Sequence, residues 1–247
     1  MKSSEPLVSV IVPCFNYGRF LGEALDSALG QTHKNVEVVV VDDGSTDDSV
    51  QVAGRYPVKV VTQQNAGVAV ARNHGAAQSR GELFVFLDAD DVLEPEYVER
   101  CLAAMRAAAP GTAYAYTQMR YFGDRNGVHE SGSFTRRRIL RGNLVNASAL
   151  VKRVAFEHAG GFSHAWRLGW EDCEFWVRLY TLGYEGVFVP EPLIRYRQHG
   201  TSRNALTPDQ LEELDWRLWW AYPKLYWPRL ILHPLKLASD LIRQRER

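Results

Sequence analysis

Short apolar runs alternating with helix-like stretches constrain the N-terminal part of this chain more than any other feature. Leu7 to Val12, Val36 to Val41, Val58 to Thr62 and the run opening at Leu83 are β-branched or aromatic, and each is too short for a buried helix. Between them, Phe20, Leu21, Ala24, Leu25 and Ala28 recur at helical spacing as far as Gly30. Asn65-Ala66-Gly67 turns into an alanine-rich stretch containing Ala71-Arg72-Asn73. This alternation predicts an α/β fold with a parallel, doubly wound sheet and right-handed crossovers. Ligands of such sheets bind beyond the carboxyl ends of the strands.

Three of those ends carry unusual polar groups: Pro13 to Asn16, Asp42-Asp43, and Asp88-Ala89-Asp90-Asp91. Asp88 and Asp90 are two apart, so extended backbone sends both to one side and Asp91 to the other. The pair could hold a hard divalent cation with phosphate oxygens completing the shell, or form a solvated acidic turn. Convergence of the three ends on one crevice favours a site. Gly44 supplies a turn, and Ser45 or Thr46 is expected to cap a helix starting near Asp47. No G-x-G-x-x-G follows the first strand and no G-x-x-x-x-G-K-[ST] occurs, which weighs against a dinucleotide dehydrogenase or a P-loop NTPase.

Composition excludes further classes. The 247 residues are 46% hydrophobic and 23% charged with zero formal net charge, so a sizeable core is expected and a nucleic-acid partner is not. Cys14, Cys101 and Cys173 are far apart and lack CxxC spacing, as in a reduced, cytoplasmic protein. Met1 to Pro6 is not a secretory signal, and no uninterrupted stretch reaches transmembrane length.

The second half reads differently. Pro95 can start a helix through Val98, Leu102 and Met105 to about Ala109. Ala113 to Met119 and Ala147 to Val151 read as strands, and Gly160-Gly161 as a helix stop. Arg136-Arg137-Arg138 is a solvated face or an anion or lipid contact. Phe175, Leu179 and Leu182 have helical spacing, which puts Glu171 and Asp172 in a first turn. Gly186 to Val189 and Leu193 to Tyr196 are the last two strand pieces, the second leading into Arg197-Gln198-His199.

Taken in order, Val8-Ser9-Val10-Ile11-Val12-Pro13-Cys14-Phe15-Asn16, Val41-Asp42-Asp43-Gly44-Ser45-Thr46-Asp47 and Gly67-Val68-Ala69-Val70-Ala71-Arg72-Asn73 resemble the nucleotide-binding half of family 2 glycosyltransferases. Asp88-Ala89-Asp90-Asp91, Glu171-Asp172 and Tyr196-Arg197-Gln198-His199 resemble that family's metal, base and C-terminal motifs. The resemblance covers about residues 7 to 204. It implies a GT-A fold, a mostly parallel Rossmann-like sheet flanked by helices, over residues 1–204. About 7–92 would be the nucleotide-binding half and 93–204 the acceptor-binding half. The implied activity is inverting transfer from a nucleotide-sugar to a hydroxyl acceptor, as in polysaccharide or glycolipid synthesis. The implied donor is a UDP- or dTDP-sugar, the acceptor a saccharide or lipid-linked molecule, and the cofactor Mg²⁺ or Mn²⁺.

By the resemblance, Pro13, Phe15 and Asp42 line the nucleobase pocket, Arg72 reaches the nucleotide and Asp88 bonds the ribose. Asp43 supports the loop. Asp90 ligates the metal, and His199 completes the metal or diphosphate site. Asp172 is the general base, Glu171 orients the acceptor or the base, and Trp170 with Trp166 forms a sugar platform or ordinary aromatic core. A sugar nucleotidyltransferase would want a glycine-rich basic loop where Phe15-Asn16-Tyr17-Gly18-Arg19 stands, and a non-catalytic nucleotide-sugar scaffold would not need Asp42, Asp88, Asp90 and Asp172 intact.

Residues 205–247 depart from the catalytic pattern. Thr207-Pro208-Asp209-Gln210 resembles a capping box, and Leu211, Leu214, Leu218 and Tyr222 mark one helical face. Trp227 and the leucines that follow are interleaved with Lys224, Arg229, Lys236, Arg243, Arg245 and Arg247. This amphipathic, aromatic-rich tail suits a membrane surface, which would make the protein peripheral at the inner face of the cytoplasmic membrane, or it packs on the domain or across a homodimer.

Overall fold

The structure is a computed structural model and describes residues 5–129, 132, 135, 138, 145–166, 169–200 and 206–227. β1 (Val8–Cys14), β2 (Val36–Asp42), β3 (Lys59–Thr62) and β4 (Leu83–Phe86) form a parallel half-sheet in the order β3-β2-β1-β4. Every residue of β1 is buried, because helices cover both faces. Val10 and Val12 face the cluster of Leu21, Ala24 and Leu25 from α1 (Gly18–Leu29). Ile11, Val39 and Val41 face the other way, toward Ala71 of α3 (Val68–Gln78) and the rings of Phe84, Phe86 and Phe156. A Cβ on Gly75 would lie 2.3 Å from Ile11 Cγ2, so the α3 backbone rests directly on β1.

One local expectation fails. The short α2 (Ser49–Ala53) starts after Asp48, and neither Ser45 nor Thr46 caps it. Ser45 Oγ instead accepts the Asn16 N–H, because the loop after β2 is braced against the loop after β1.

Beyond β4 the sheet becomes mixed. β4 pairs antiparallel with β8 (Leu150–Lys152), and β8 antiparallel with β6 (Thr112–Gly123). β6 runs parallel to β9 (Glu185–Gln198), whose far edge pairs antiparallel with β5 (Val92–Leu93). β7 (Gly127–His129) hangs from β6. β9 is one strand where the sequence reading has two pieces, Gly186 to Val189 and Leu193 to Tyr196. Pro190 and Pro192 are absorbed where the register shifts around Gln118, the irregularity at which a strand tolerates a residue with no N–H. The doubly wound arrangement is therefore confined to the N-terminal half of the sheet, and the mixed half follows from pairings between distant segments.

α4 (Tyr97–Ala107), α5 (Arg153–Ala159) and α6 (Glu171–Thr181) complete the layers, α5 ending on Gly160 with φ of 79°. α7 (Pro208–Ala221) has the expected capping box between Thr207 and Gln210. It packs Leu214, Leu218 and Trp219 on Trp166 and on Cys173 and Val177 of α6. The Tyr222 hydroxyl donates to Glu174, whose carboxylate also holds Arg178. Packing on the domain thus accounts for residues 206–227, except that Leu211 and Trp220 are exposed and Trp227 points outward. Trp166 is buried in this cluster. Arg136, Arg137 and residues 228–247, on which the basic-cluster and membrane readings fall, lie outside the described residues. Among those described, no helix is long and apolar enough to cross a membrane, and the three cysteines are free and buried.

Candidate active site

Parallel pairing brings the ends of β1, β2 and β4 to one edge of the sheet. Asn16, in the left-handed region at φ 59°, accepts the Thr46 N–H through Oδ1 at 2.8 Å, and Asp47 accepts the Gly18 N–H at 3.0 Å. The two loops and the start of α1 are thereby one unit. Asp43 takes the Gln63 side chain and the Ala66 and Gly67 N–H groups, which fastens the turn into α3 as expected of a loop-supporting acid. Asp42, next to it, is buried, and its carboxylate accepts the Ser45 N–H at 3.3 Å. Pro13 is buried in β1, whereas the Phe15 ring is 43% exposed just beyond it.

The second group joins the two halves of the molecule. Arg72 is buried under α3 and donates to Asp88 at 2.7 Å and to Glu171 at 2.9 Å. Burial works against its charge, but the Asp88 and Glu171 carboxylates outweigh that and hold the proton more firmly than usual. Both terminal nitrogens of Arg72 are therefore engaged within the protein, while Nε has no partner among the described residues. Glu171 is likewise buried and committed to Arg72. Asn73 fixes the neighbouring loop by exchanging two hydrogen bonds with the Phe162 main chain. Trp170 precedes α6 at φ 63°, a conformation that costs a bulky side chain roughly 1–3 kcal/mol and is characteristic of functional turns.

The third group is Asp90 with His199. Oδ2 of Asp90 and Nε2 of His199 are 2.9 Å apart. Burial, then the charge of Asp88, pushes the Asp90 carboxyl upward, a shift that a bound cation would oppose. His199 Nδ1 is buried and has no partner among the described residues, and its ring packs on Tyr17 and Phe20. Two adjacent ligands about 2.1 Å from an octahedral ion stand about 3 Å from each other, so this pair fits one edge of such a shell. Among the described residues no three His, Cys, Asp or Glu side chains cluster as a cation site. A donor set of two suits Mg²⁺ or Mn²⁺, which takes its remaining ligands from phosphate and water.

Tyr196 shows how closely the acids converge: after burial, its phenol is raised by Asp91, Asp88, Asp90 and Asp172 together. Asp172 stands in the first turn of α6, half-buried, one residue from the Arg72 partner.

The sequence model described as Glycosyl transferase family 2 matches residues 9–165. The chain belongs to this family. It is 28% identical over 233 residues to an uncharacterized glycosyltransferase of Rickettsia typhi, covering 89% of this chain and 72% of that one. A second relative, the chondroitin synthase of Escherichia coli, is 39% identical over 106 residues, 41% of this chain and 16% of its own length. Among solved structures, S. aureus TarS 1–349 in complex with UDP-GlcNAc superposes with a TM-score of 0.71 at 23% identity, covering 81% of this chain and 61% of that one. The mannosyltransferase PcManGT of Pyrobaculum calidifontis, in complex with GDP-Man and Mn²⁺, gives 0.61 at 20% identity, covering 97% and 81%. At these identities the structural likeness establishes the GT-A fold of this family 2 glycosyltransferase.

Sequence reading missed two features of the site. Glu171 and Arg72 are 99 residues apart, and nothing local marks them as an ion pair. Arg197 sits inside a recognised motif, yet its bonds to Asp90 and Asp91 leave no periodic signal.

Proposed function

We propose that this family 2 glycosyltransferase moves a sugar from a nucleoside-diphosphate sugar to a hydroxyl group of a saccharide or lipid-linked acceptor, with inversion at the anomeric carbon. The observation that carries this reading is the Arg72 bridge from Asp88 to Glu171, the neighbour of Asp172, with His199 2.9 Å from Asp90. A diphosphate arriving there meets carboxylates, and the arginines bonded into the group are already engaged, Arg72 by Asp88 and Glu171, Arg197 by Glu23. Such a site needs a cation. Mg²⁺ or Mn²⁺ held by Asp90 and His199 supplies, when bound, countercharge to the leaving diphosphate. The UDP-GlcNAc, UDP and GDP-Man complexes of the structural relatives support a donor of this class, with a UDP- or dTDP-sugar as the first choice.

The exposed Phe15 ring stacks on the nucleobase against Pro13, and Asp42 accepts its imide N–H. Asp88, with 35% of its side chain exposed, bonds the ribose while Arg72 steadies its other side. Arg72 thus serves the nucleotide through Asp88. Residues 93–204 receive the acceptor, with Trp170 beside it and Glu171 fixing the turn. As the acceptor oxygen bonds to the anomeric carbon, its proton passes to the Asp172 carboxylate. The bond from that carbon to the diphosphate oxygen breaks, and its electron pair leaves with the nucleoside diphosphate. A single displacement inverts the centre.

Asp90→Asn is expected to abolish the Mn²⁺-dependent part of UDP binding in calorimetry. Asp172→Asn is expected to bind UDP with Mn²⁺ normally while losing about 10²- to 10⁴-fold in transfer. Wild-type turnover by Asp172→Asn would refute the base assignment, and Mn²⁺-independent binding by the wild type would refute the cation.

A further inference from the structure

β5 and β9 pair antiparallel, with Val92 opposite Arg195 and Leu93 opposite Ile194. Extended further, this register would set Asp91 opposite Tyr196 and Asp90 opposite Arg197, the latter pair joined by main-chain hydrogen bonds. The ladder stops instead, and side chains take over its role. The Arg197 main-chain N–H donates to Asp91 Oδ1 at 2.9 Å, and its side-chain Nε–H donates to the Asp90 carbonyl, also at 2.9 Å. The Asp90 main chain is thus held by a guanidinium where a strand would otherwise hold it.

We propose that Arg197 is a positioning residue for the cation site, fixing the Asp90 main chain and, through Phe20, the His199 ring, so that Oδ2 and Nε2 meet. This rests on the reading that Asp90 and His199 hold the cation. The guanidinium is itself tightly placed. Its carbon lies 4.6 Å from the Phe20 ring centre and 4.2 Å from that of Phe122, and a terminal nitrogen reaches Glu23. Phe20 also packs on the His199 ring, with centres 5.1 Å apart. One arginine therefore bears on both ligands.

The arrangement requires a planar fork. Nε must donate to the carbonyl while the guanidinium carbon stays close to two aromatic rings and the outer nitrogen meets a carboxylate. A lysine keeps the charge but has neither the separate donors nor the faces. Arg197 touches neither donor nor acceptor in this assignment. It acts through Asp90 and His199, as the outer partners of metal ligands do.

Wild type, Arg197→Lys, Asp90→Asn and the double variant of the full chain are titrated with UDP by calorimetry across an Mn²⁺ series, with free Mn²⁺ followed by electron paramagnetic resonance and Tm recorded for each. Arg197→Lys is expected to raise the Mn²⁺ needed for half-maximal UDP binding about tenfold. Metal-free binding should stay unchanged, and Arg197→Lys should add no further loss on top of Asp90→Asn. A lowered Tm with an unchanged Mn²⁺ requirement, in a wild type that needs Mn²⁺, overturns the positioning role and leaves the cation reading intact. Wild-type UDP binding that ignores Mn²⁺ overturns both. Should Arg197→Lys fail to fold, Phe122→Leu removes one stacking face and keeps the arginine. It is expected to shift the Mn²⁺ requirement about threefold in the same direction, and no shift overturns the proposal.

Discussion

Arg72→Met tests the bridge between the halves of the site. Methionine fills much of the same volume but leaves Asp88 and Glu171 without their cation. The two legs of the triad differ in worth. Side-chain exposure is 4% for Arg72 and 10% for Glu171 but 35% for Asp88, so Glu171 is stranded in the interior while Asp88 can recover water. Breaking a buried pair by removing one partner costs about 3–5 kcal/mol, and the Asp88 leg adds at most about 1 kcal/mol. Glu171→Gln costs less, about 1–2 kcal/mol, because Arg72 keeps Asp88 and the amide oxygen still accepts. The double variant leaves no buried charge uncompensated and should lie about 1–2 kcal/mol below wild type, well above Arg72→Met. At roughly 2–4 °C per kcal/mol for a chain of this size, Arg72→Met alone lowers Tm by roughly 6–24 °C. Urea unfolding of the four proteins closes the cycle. A loss under about 1 kcal/mol for Arg72→Met, or strict additivity in the double variant, would refute the assignment of Glu171 as the buried partner.

Two further outcomes test the frame around the site. Burial works to raise the Glu37 carboxyl, but hydrogen bonds from Ser9 and Arg80 outweigh it and hold it below its usual 4.5. A lowered folded-state value means stabilisation that is present above about pH 4.5 and lost as pH falls through the folded value, so Glu37→Gln should cost about 1–2 kcal/mol near neutrality and progressively less in acid. A gap in urea midpoint that widens on acidification would contradict this. Leu218 is 2% exposed where α7 meets α6, so Leu218→Ala should weaken the docking of α7 by about 2–5 kcal/mol and speed chymotryptic cleavage within residues 206–227. Unchanged cleavage would mean that the tail packs elsewhere.

Much of the N-terminal half was legible because its signals are local. Strand length, β-branching and helical spacing are properties of neighbouring residues, and a parallel alternation dictates which strand ends share an edge. The acids at those ends, and the loop-supporting role of Asp43, could be read before any coordinates. The mixed half was harder for a physical reason. The β4–β8, β8–β6 and β6–β9 pairings join segments far apart in the chain, and the two last strand pieces are one strand whose intervening Pro190 and Pro192 meet irregular register against β6. The helix cap failed similarly, since Ser45 is claimed by Asn16 across the site.

The amino-acid sequence by itself determined the family, the parallel half-sheet, the order of the polar strand ends and the identity of the acids on them. Tertiary structure alone decided what those groups hold. Arg72, which the family resemblance sends to the nucleotide, is buried by packing between Asp88 and Glu171, and Arg197, known from the sequence only as part of a C-terminal motif, meets the Asp90 carbonyl because the end of β9 brings it there. A side chain's type and spacing are written locally, whereas its partner and its dielectric surroundings exist only once distant segments have met.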